Sequence, residues 1–321
     1  QPIDGRIRGA IFEGKGSFNF TPPTIVEQEH LERFYDEQEF TKEFESLLLF
    51  FTDSTYIEIK NKFNKITLEA GNLPKINKKT MSFYTYTNTK SIMQSVCTNL
   101  IEPNRQGSFF ASIQGSSGNP VAWSVDPYDE EEIKFYKGYD FFGEIQNNHF
   151  EVINSFQKES DYQKSESELC KENKESIKVE KYVINCKFEK NLDIQAYAEL
   201  NCKARITGDK WLLFGLSRKM IVDSIIDGKN NRLSFYKHIE DSDLWIRLNS
   251  PLQKGNKLTL KMYYHGDVHT KGIKDTYTES FTEWYPRYGY VKKHDFDITF
   301  TYPDNYVLVC SGKMKKETEA D

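Results

Sequence analysis

Residues 254–265 read Lys-Gly-Asn-Lys-Leu-Thr-Leu-Lys-Met-Tyr-Tyr-His, and they belong to the part of the chain that decides the fold. Gly255 and Asn256 are typical turn residues, and the aliphatic and aromatic run 258–264 after them predicts a β-strand. Two longer alternating segments precede it, at 179–188 and 194–206, with shorter runs between. Many short strands separated by turn residues indicate an antiparallel β-sandwich or a large twisted sheet.

The segment 294–301 shows the same alternation. Phe296, Ile298 and Phe300 share one face of the predicted strand, while acidic residues and threonines occupy the other. This pattern is typical of a half-buried strand with one solvated face. We therefore predict that 177–321 forms a β domain.

The chain has 321 residues, which is long for a single sandwich and predicts two domains. Residues 1–157 are interpreted as a mixed α/β upstream domain, with β-like runs at 7–12 and 17–20 joined by a turn at 13–16. Thr24 and Glu27 have the spacing of a capping box, which predicts a helix over 25–35 with Ile25, Leu31 and Phe34 on one face. The polar stretch 158–176 is interpreted as a linker or exposed loop.

Composition excludes some classes of protein. The chain has 43 Lys and Arg against 48 Asp and Glu, a net charge of −5, which disfavours a nucleic-acid partner. No apolar run approaches the roughly 20 residues needed to cross a bilayer, so no transmembrane segment is expected in this chain. A cytoplasmic and a periplasmic or secreted location both stay open. The acidic run 129–132 is expected on a solvated face.

The five cysteines are scattered and odd in number, which argues against a disulfide framework and favours isolated buried thiols. One alternative is that Cys186 and Cys202 face each other across a hairpin.

Three sequence elements follow one another in the second part of the chain. The first is Gly-x-x-Leu-x-Leu-x-x-x-Tyr-x-Gly, formed by Gly255, Leu258, Leu260, Tyr264 and Gly266. The second is the pair Tyr285-Pro286, followed after a short loop by Lys293 and Phe296-Asp297-Ile298-Thr299. The third runs from Pro303-Asp304-Asn305-Tyr306 to Ser311-Gly312.

These elements resemble the saddle-shaped N-terminal β domain of the zinc aminopeptidases, the gluzincin family that includes membrane alanyl aminopeptidase. The resemblance covers about 177–321, and residues 12–24 and 49–55 resemble the extra upstream domain of some bacterial members. One departure is that Arg287, Tyr288 and Gly289 follow the aromatic-Pro pair, where many members have Cys and then Asp and Pro.

The sequence lacks the motifs that carry the chemistry of that family. Neither Gly-x-Met-Glu-Asn nor His-Glu-x-x-His occurs, and the latter holds zinc and activates water. In His265-Gly266-Asp267-Val268-His269 the second residue is Gly, and a loop after a strand does not bring both imidazoles to one face. No catalytic residue, metal ligand or cofactor is therefore expected in this chain, and zinc is expected in a missing catalytic domain.

One substrate contact is carried over from the resemblance. In the family, a Gln or Glu about ten residues before the aromatic-Pro pair holds the free amino group of the substrate, because a carboxylate pairs with an ammonium. Counting back from Tyr285 makes Glu279 the candidate substrate-binding residue.

The favoured hypothesis is a non-catalytic N-terminal segment of a bacterial, aminopeptidase-like zinc metallopeptidase that walls the cleft of its own C-terminal catalytic domain. A peptide substrate is a second candidate partner. The alternative is a free-standing protein- or carbohydrate-binding module, with Tyr285, Tyr288 and Tyr290 as an exposed stacking platform. A third hypothesis is an unfamiliar enzymatic cleft between two domains, marked by buried carboxylates.

Overall fold

Strands dominate both parts of the chain. The computed structural model of the protein describes residues 5–62, 90–129, 131–139, 149–163, 165, 175–237, 242–267, 270–271, 276–277, 283–289 and 293–318. The chain divides into two compact units, Gln1–Lys174 and Glu175–Asp321. Among the described residues, no helix is long and apolar enough to cross a bilayer.

The first unit is a six-stranded antiparallel sheet between helices. The strands follow one another in space as they do in sequence. In chain order the elements are β1 (Gly9–Phe20), α1 (Ile25–Tyr35), β2 (Phe40–Phe51), α2 (Thr55–Lys62), α3 (Lys90–Ile101), β3 (Phe109–Gln114), β4 (Val121–Val125), β5 (Ile133–Tyr139) and β6 (His149–Phe156).

Both faces of this sheet are apolar because each face is covered by a helix. Ala111, Val121 and Phe135 pack in one core with Leu31 of α1. Their sequence neighbours Phe110, Ala122 and Tyr136 pack in a second core with Ile92, Val96 and Leu100 of α3. Successive side chains of a strand point to opposite faces, so the two cores lie on opposite sides of the sheet. The predicted mixed α/β unit is confirmed.

The predicted turn at 13–16 is wrong, since β1 runs through it. The pairing of β1 with β2 shifts register between Glu13 and Gly16, which marks a β-bulge. A Cβ on Gly16 would clash with the ring of Phe44, so the glycine allows that ring to pack closely on β1. A β-bulge and a turn can consist of the same residue types, so the sequence of 13–16 does not distinguish the two structures. Pairing with the partner strand β2 makes this segment a bulge.

Helix α1 begins where the capping box predicts. Glu27 Oε2 accepts from the Thr24 amide at 3.1 Å, and Thr24 Oγ1 accepts from the Glu27 amide at 3.5 Å. The predicted apolar face is only partly correct: Leu31 is fully buried, but Ile25 is 71% exposed.

The prediction that the acidic run 129–132 lies on a solvated face is only partly correct, since Glu131 is exposed but Glu132 is not. Glu132 is buried, and its carboxylate lies 2.9 Å from the ammonium of Lys158. Asp129 is paired with Lys134 at 2.5 Å. Lys158, which is distant in sequence, neutralises the buried Glu132 carboxylate, and a local charge pattern does not reveal that partner.

The described part of the second unit contains a five-stranded sheet, a three-stranded sheet and a two-stranded pair of β14 with β15. The larger sheet has the order β10-β13-β8-β7-β16 and the smaller has β11-β12-β9. In chain order the strands are β7 (Ile177–Phe188), β8 (Ile194–Ala204), β9 (Trp211–Gly215), β10 (Met220–Asp227), β11 (Ser234–Lys237), β12 (Asp243–Arg247), β13 (Lys257–Gly266), β14 (Thr270–Lys271), β15 (Thr276–Tyr277) and β16 (Asp295–Thr301).

The two sheets share one core, as expected for a sandwich. Leu200 and Leu260 of the larger sheet and Phe214 and Ile246 of the smaller one are fully buried in the same cluster. The mainly β fold class is confirmed, with one difference: β16 pairs with β7 in parallel, whereas the other pairs in the sheet are antiparallel.

The cysteines of the second unit do not face each other. Cys186 lies opposite Ala196, and Cys202 lies opposite Val179, so the suggested Cys186–Cys202 pair is wrong. The register of the β7–β8 hairpin is set by its buried face and separates the two thiols along the strands. Both thiols are free and buried, and burial raises the pKa of each to about 12. Cys97 and Cys310 are free and exposed, contrary to the prediction of buried thiols.

We predict that replacing Thr24 by Ala lowers the free energy of unfolding of the first unit by about 1 kcal/mol, because the α1 amides lose their cap. Urea unfolding measures this change. Val26→Ala is the matched control, since Val26 is 76% exposed in the same turn. An equal loss in both variants would contradict a capping role.

We also predict that iodoacetamide at pH 8 alkylates Cys310 in the folded protein but leaves Cys186 and Cys202 unmodified. The buried thiols are inaccessible and, with a pKa of about 12, almost wholly protonated. Peptide mass mapping of a Cys170→Ser background reads out each site, and all three cysteines should react after unfolding. Rapid alkylation of Cys202 in the folded chain would contradict this burial.

Candidate functional site

The residues of the first sequence element build a turn and a strand. Gly255 has φ of 89°, and its amide donates to the Ala204 carbonyl at 2.8 Å, which closes the turn before β13. Leu260 and Tyr264 are buried in the core of the second unit. A Cβ on Gly266 would lie 2.2 Å from the Lys219 carbonyl oxygen, so glycine lets β13 end beside β10. These residues therefore have structural roles.

The second element meets the sheet at Tyr182 of β7. The Tyr182 ring is stacked on Phe296 with centroids 5.1 Å apart, and it contacts Tyr285 edge-on at 5.4 Å. The His294 ring also lies edge-on to the Tyr182 ring, with centroids 5.3 Å apart, and the Tyr288 amide donates to the Tyr182 hydroxyl at 3.3 Å. We call Tyr182, Tyr285, His294 and Phe296 the aromatic cluster. It attaches the segment before β16, and β16 itself, to β7.

The pKa shifts of two buried tyrosines in the second unit also indicate a structural role. Burial raises the pKa of Tyr182 above its usual range, against the smaller lowering effects of the Tyr288 amide and Arg287. Burial likewise raises the pKa of Tyr264. Both phenols are therefore neutral at physiological pH, and the Tyr182 hydroxyl accepts a hydrogen bond from the Tyr288 amide.

The residues that depart from the family pattern are used in the fold. Arg287 exchanges two backbone hydrogen bonds of 2.8 Å with Gly215, which joins this segment to β9. Its guanidinium lies 3.4 Å from the Glu283 carboxylate. A Cβ on Gly215 would lie 2.2 Å from Glu283 Oε1, so glycine makes room for that ion pair.

The predicted substrate-binding residue, Glu279, lies outside the described residues, as does His269. His265 is near the end of β13, and its Nδ1 lies 3.0 Å from Asp223 Oδ1. Within the described ranges, no group of three or more His, Cys, Asp or Glu side chains is arranged to hold a metal ion.

The predicted stacking platform is wrong for two of its three residues, and Tyr290 lies outside the described residues. Tyr285 is only 9% exposed and belongs to the aromatic cluster. Tyr288 is partly buried, with its ring 5.2 Å from that of Phe214. Sequence shows that these residues are aromatic, but the approach of this segment to β7 and β9 determines that they point inward.

A pair of tyrosines does lie on the outer face of the five-stranded sheet. A hollow of about 800 Å³ opens there, and we call it the outer hollow. Tyr197 of β8 stands directly opposite Tyr263 of β13, with ring centroids 4.9 Å apart and planes inclined by 46°. Asn185 of β7 and Thr299 of β16 extend this row across the sheet. The alternation of each strand marks these positions as outward, but the register decides that they are neighbours.

A second row lies beside the tyrosines. It runs from Lys187 of β7 through Gln195 of β8 to His265 of β13, which is paired with Asp223 of β10. All these residues line the outer hollow. Side chains from strands far apart in sequence thus converge on one polar, aromatic surface that can contact a ligand.

Comparison with known proteins finds similarity in solved structures alone. No protein-family profile matches the chain. No curated protein sequence is significantly similar to it. The M1 zinc metallopeptidase from Deinococcus radiodurans matches 45% of this chain with 16% identity and a TM-score of 0.36. A two-domain M1 zinc metallopeptidase variant bound to L-arginine matches with the same identity and TM-score. The matched region spans 37% of each of those chains.

We predict that Tyr182→Ala destabilises the second unit by about 3–5 kcal/mol, because it leaves a cavity at the meeting point of three aromatic rings. Tyr182→Phe should cost about 1 kcal/mol, since it removes only the acceptor of the Tyr288 amide. Chemical denaturation measures both.

Tyr236→Ala is the control for this pair, because Tyr236 is 60% exposed and the change should stay within about 0.5 kcal/mol. Equal effects of the Tyr182→Ala and Tyr236→Ala substitutions would contradict the central position of Tyr182.

Proposed function

We propose that the chain is the non-catalytic N-terminal segment of an aminopeptidase-like zinc metallopeptidase. It packs against its own C-terminal catalytic domain and walls one side of the substrate cleft. The observation that carries the proposal is the set of three ordered elements between Gly255 and Gly312. The aromatic cluster supports it, because the second element uses its aromatic residues to attach β16 to β7.

The surface of the third element supports the proposed packing. Residues 306–310 read Tyr-Val-Leu-Val-Cys and follow β16. Val307 is 90% exposed and Val309 is 89% exposed. Consecutive exposed apolar residues are typical of a surface that another protein element covers. In the proposed whole protein, the catalytic domain covers them.

The residue types indicate which part of the proposed whole protein carries the zinc chemistry and which part has a structural role. A zinc site of this family needs two imidazoles one helical turn apart and a glutamate, and the sequence of this chain has no such motif. Zinc and the catalytic water therefore belong to the proposed catalytic domain. The β unit contributes a rigid wall, and Glu279 is proposed to contact the ammonium of a peptide substrate.

We predict that the coding sequence continues beyond Asp321 into His-Glu-x-x-His, and sequencing of the transcript tests this. The isolated chain should not hydrolyse alanyl, leucyl or arginyl p-nitroanilide, with or without added zinc. Chelator-sensitive hydrolysis by the isolated chain would overturn the proposal. A stop codon directly after Asp321 would instead favour the free-standing binding module.

If the catalytic domain is expressed from that continuation, the chain should bind it through the third element. Replacing both Val307 and Val309 by Ser should weaken the complex at least about tenfold, measured by isothermal titration calorimetry. The matched control replaces Ile25 and Val26 by Ser, since these exposed apolar residues lie in the other unit. Equal affinities of the two variants would contradict this docking surface.

A further inference from the structure

The outer hollow has the chemistry of a ligand site, and the side chains proposed to contact a ligand there are, apart from Thr299, not motif residues of the three sequence elements. Its aromatic row, Tyr197 and Tyr263, faces away from the core that those elements build. We propose that the outer hollow binds a neutral carbohydrate. This goes beyond the proposed function, because it holds whether or not a catalytic domain follows the chain.

The two tyrosines supply an apolar surface. Tyr263 is 40% exposed, although a tyrosine ring is large enough to bury in a core. The Tyr197 hydroxyl donates to Glu199 at 2.8 Å, which holds that ring in place beside Tyr263. A preorganised pair of rings binds a ligand at a lower entropic cost than flexible side chains do. One face of a pyranose ring presents C–H groups that suit such a surface.

The polar rows supply the hydrogen bonds that sugar hydroxyls require. Asn185, Gln195 and Thr299 line the outer hollow and have no side-chain hydrogen bond in the part of the chain that the structure describes. Amides and hydroxyls both donate and accept, as sugar hydroxyls do. A few polar groups that converge around aromatic rings are typical of small-molecule recognition.

The charge of the lining disfavours an anionic ligand. Glu189, Asp193 and Asp223 contribute three carboxylates against the single ammonium of Lys187. That ammonium lies 3.1 Å from Glu189 and is therefore already paired. A phosphate or an acidic polymer would meet net repulsion at this surface.

The position on the sheet disfavours an extended peptide. Peptides that add to a sheet bind along an edge strand, where backbone N–H and C=O groups are unpaired. The outer hollow is centred on β8, which has β7 on one side and β13 on the other. At the centre of the sheet only side chains are available to a ligand. These side chains suit the hydroxyl groups of a sugar better than they suit the backbone of a peptide.

The test titrates the full chain with cellohexaose, maltohexaose and chitohexaose, each up to about 10 mM, by isothermal calorimetry. At least one is expected to bind with a Kd on the order of 1 mM or tighter. Tyr263→Ala and, separately, Asn185→Ala should each weaken that binding, the former at least about tenfold.

Tyr236→Ala is the matched control, because it removes an exposed tyrosine from β11 of the smaller sheet and should leave sugar binding unchanged. Asn185 is exposed, so its variant keeps the test valid if Tyr263→Ala fails to fold. Binding of none of the three sugars, or binding that both hollow variants retain, would overturn the proposal. So would preferential binding of tetralysine or inorganic phosphate at the same residues. Failure here leaves the peptidase proposal intact, since that rests on the downstream coding sequence.

Discussion

The contact of Tyr182 with Phe296 and Tyr285 connects the segments of the second unit that are farthest apart in sequence. It holds β16 against β7 in a parallel pair, and His294 adds a hydrogen-bonding contact to the Val179 carbonyl at 2.9 Å across 115 residues. Closing the long chain segment between β7 and β16 costs conformational entropy, which the contacts between the two strands must offset. Burial of the aromatic rings supplies the missing stabilisation.

The two faces of the five-stranded sheet therefore differ in role: the inner face is packed in the core, and the outer face is available to a ligand. The inner face packs on the smaller sheet, and the motif residues Leu260 and Tyr264 are buried there. The outer face keeps its polar alternation, and the register places Tyr197 and Tyr263 side by side. Most residues of the three sequence elements thus maintain the fold, while the side chains proposed to contact a ligand, apart from Thr299 of the second element, are not motif residues of those elements.

Local sequence patterns predict the structure correctly where one segment contains all the interacting groups. Thr24 and Glu27 predict the start of α1, because both members of the capping box lie in one turn. The alternation in β7, β8 and β13 likewise predicts strands and their buried faces. Prediction failed where a partner distant in sequence decides the outcome. Pairing with β2 makes residues 13–16 a bulge within β1, and Lys158 neutralises Glu132. Contact with Tyr182 buries Tyr285, which was expected on the surface.

The sequence by itself determined the mainly β fold class, the position of α1, the long strands of the second unit and the lack of a zinc-binding motif, because these depend on periodicity, turn residues and short spacings. Only the tertiary structure decided which strands are neighbours, that β16 joins the sheet in parallel, and which tyrosines face solvent. The physical reason is that strand register and sheet order arise from contacts between segments tens of residues apart. Such contacts leave no local pattern, and the outer hollow exists only through them.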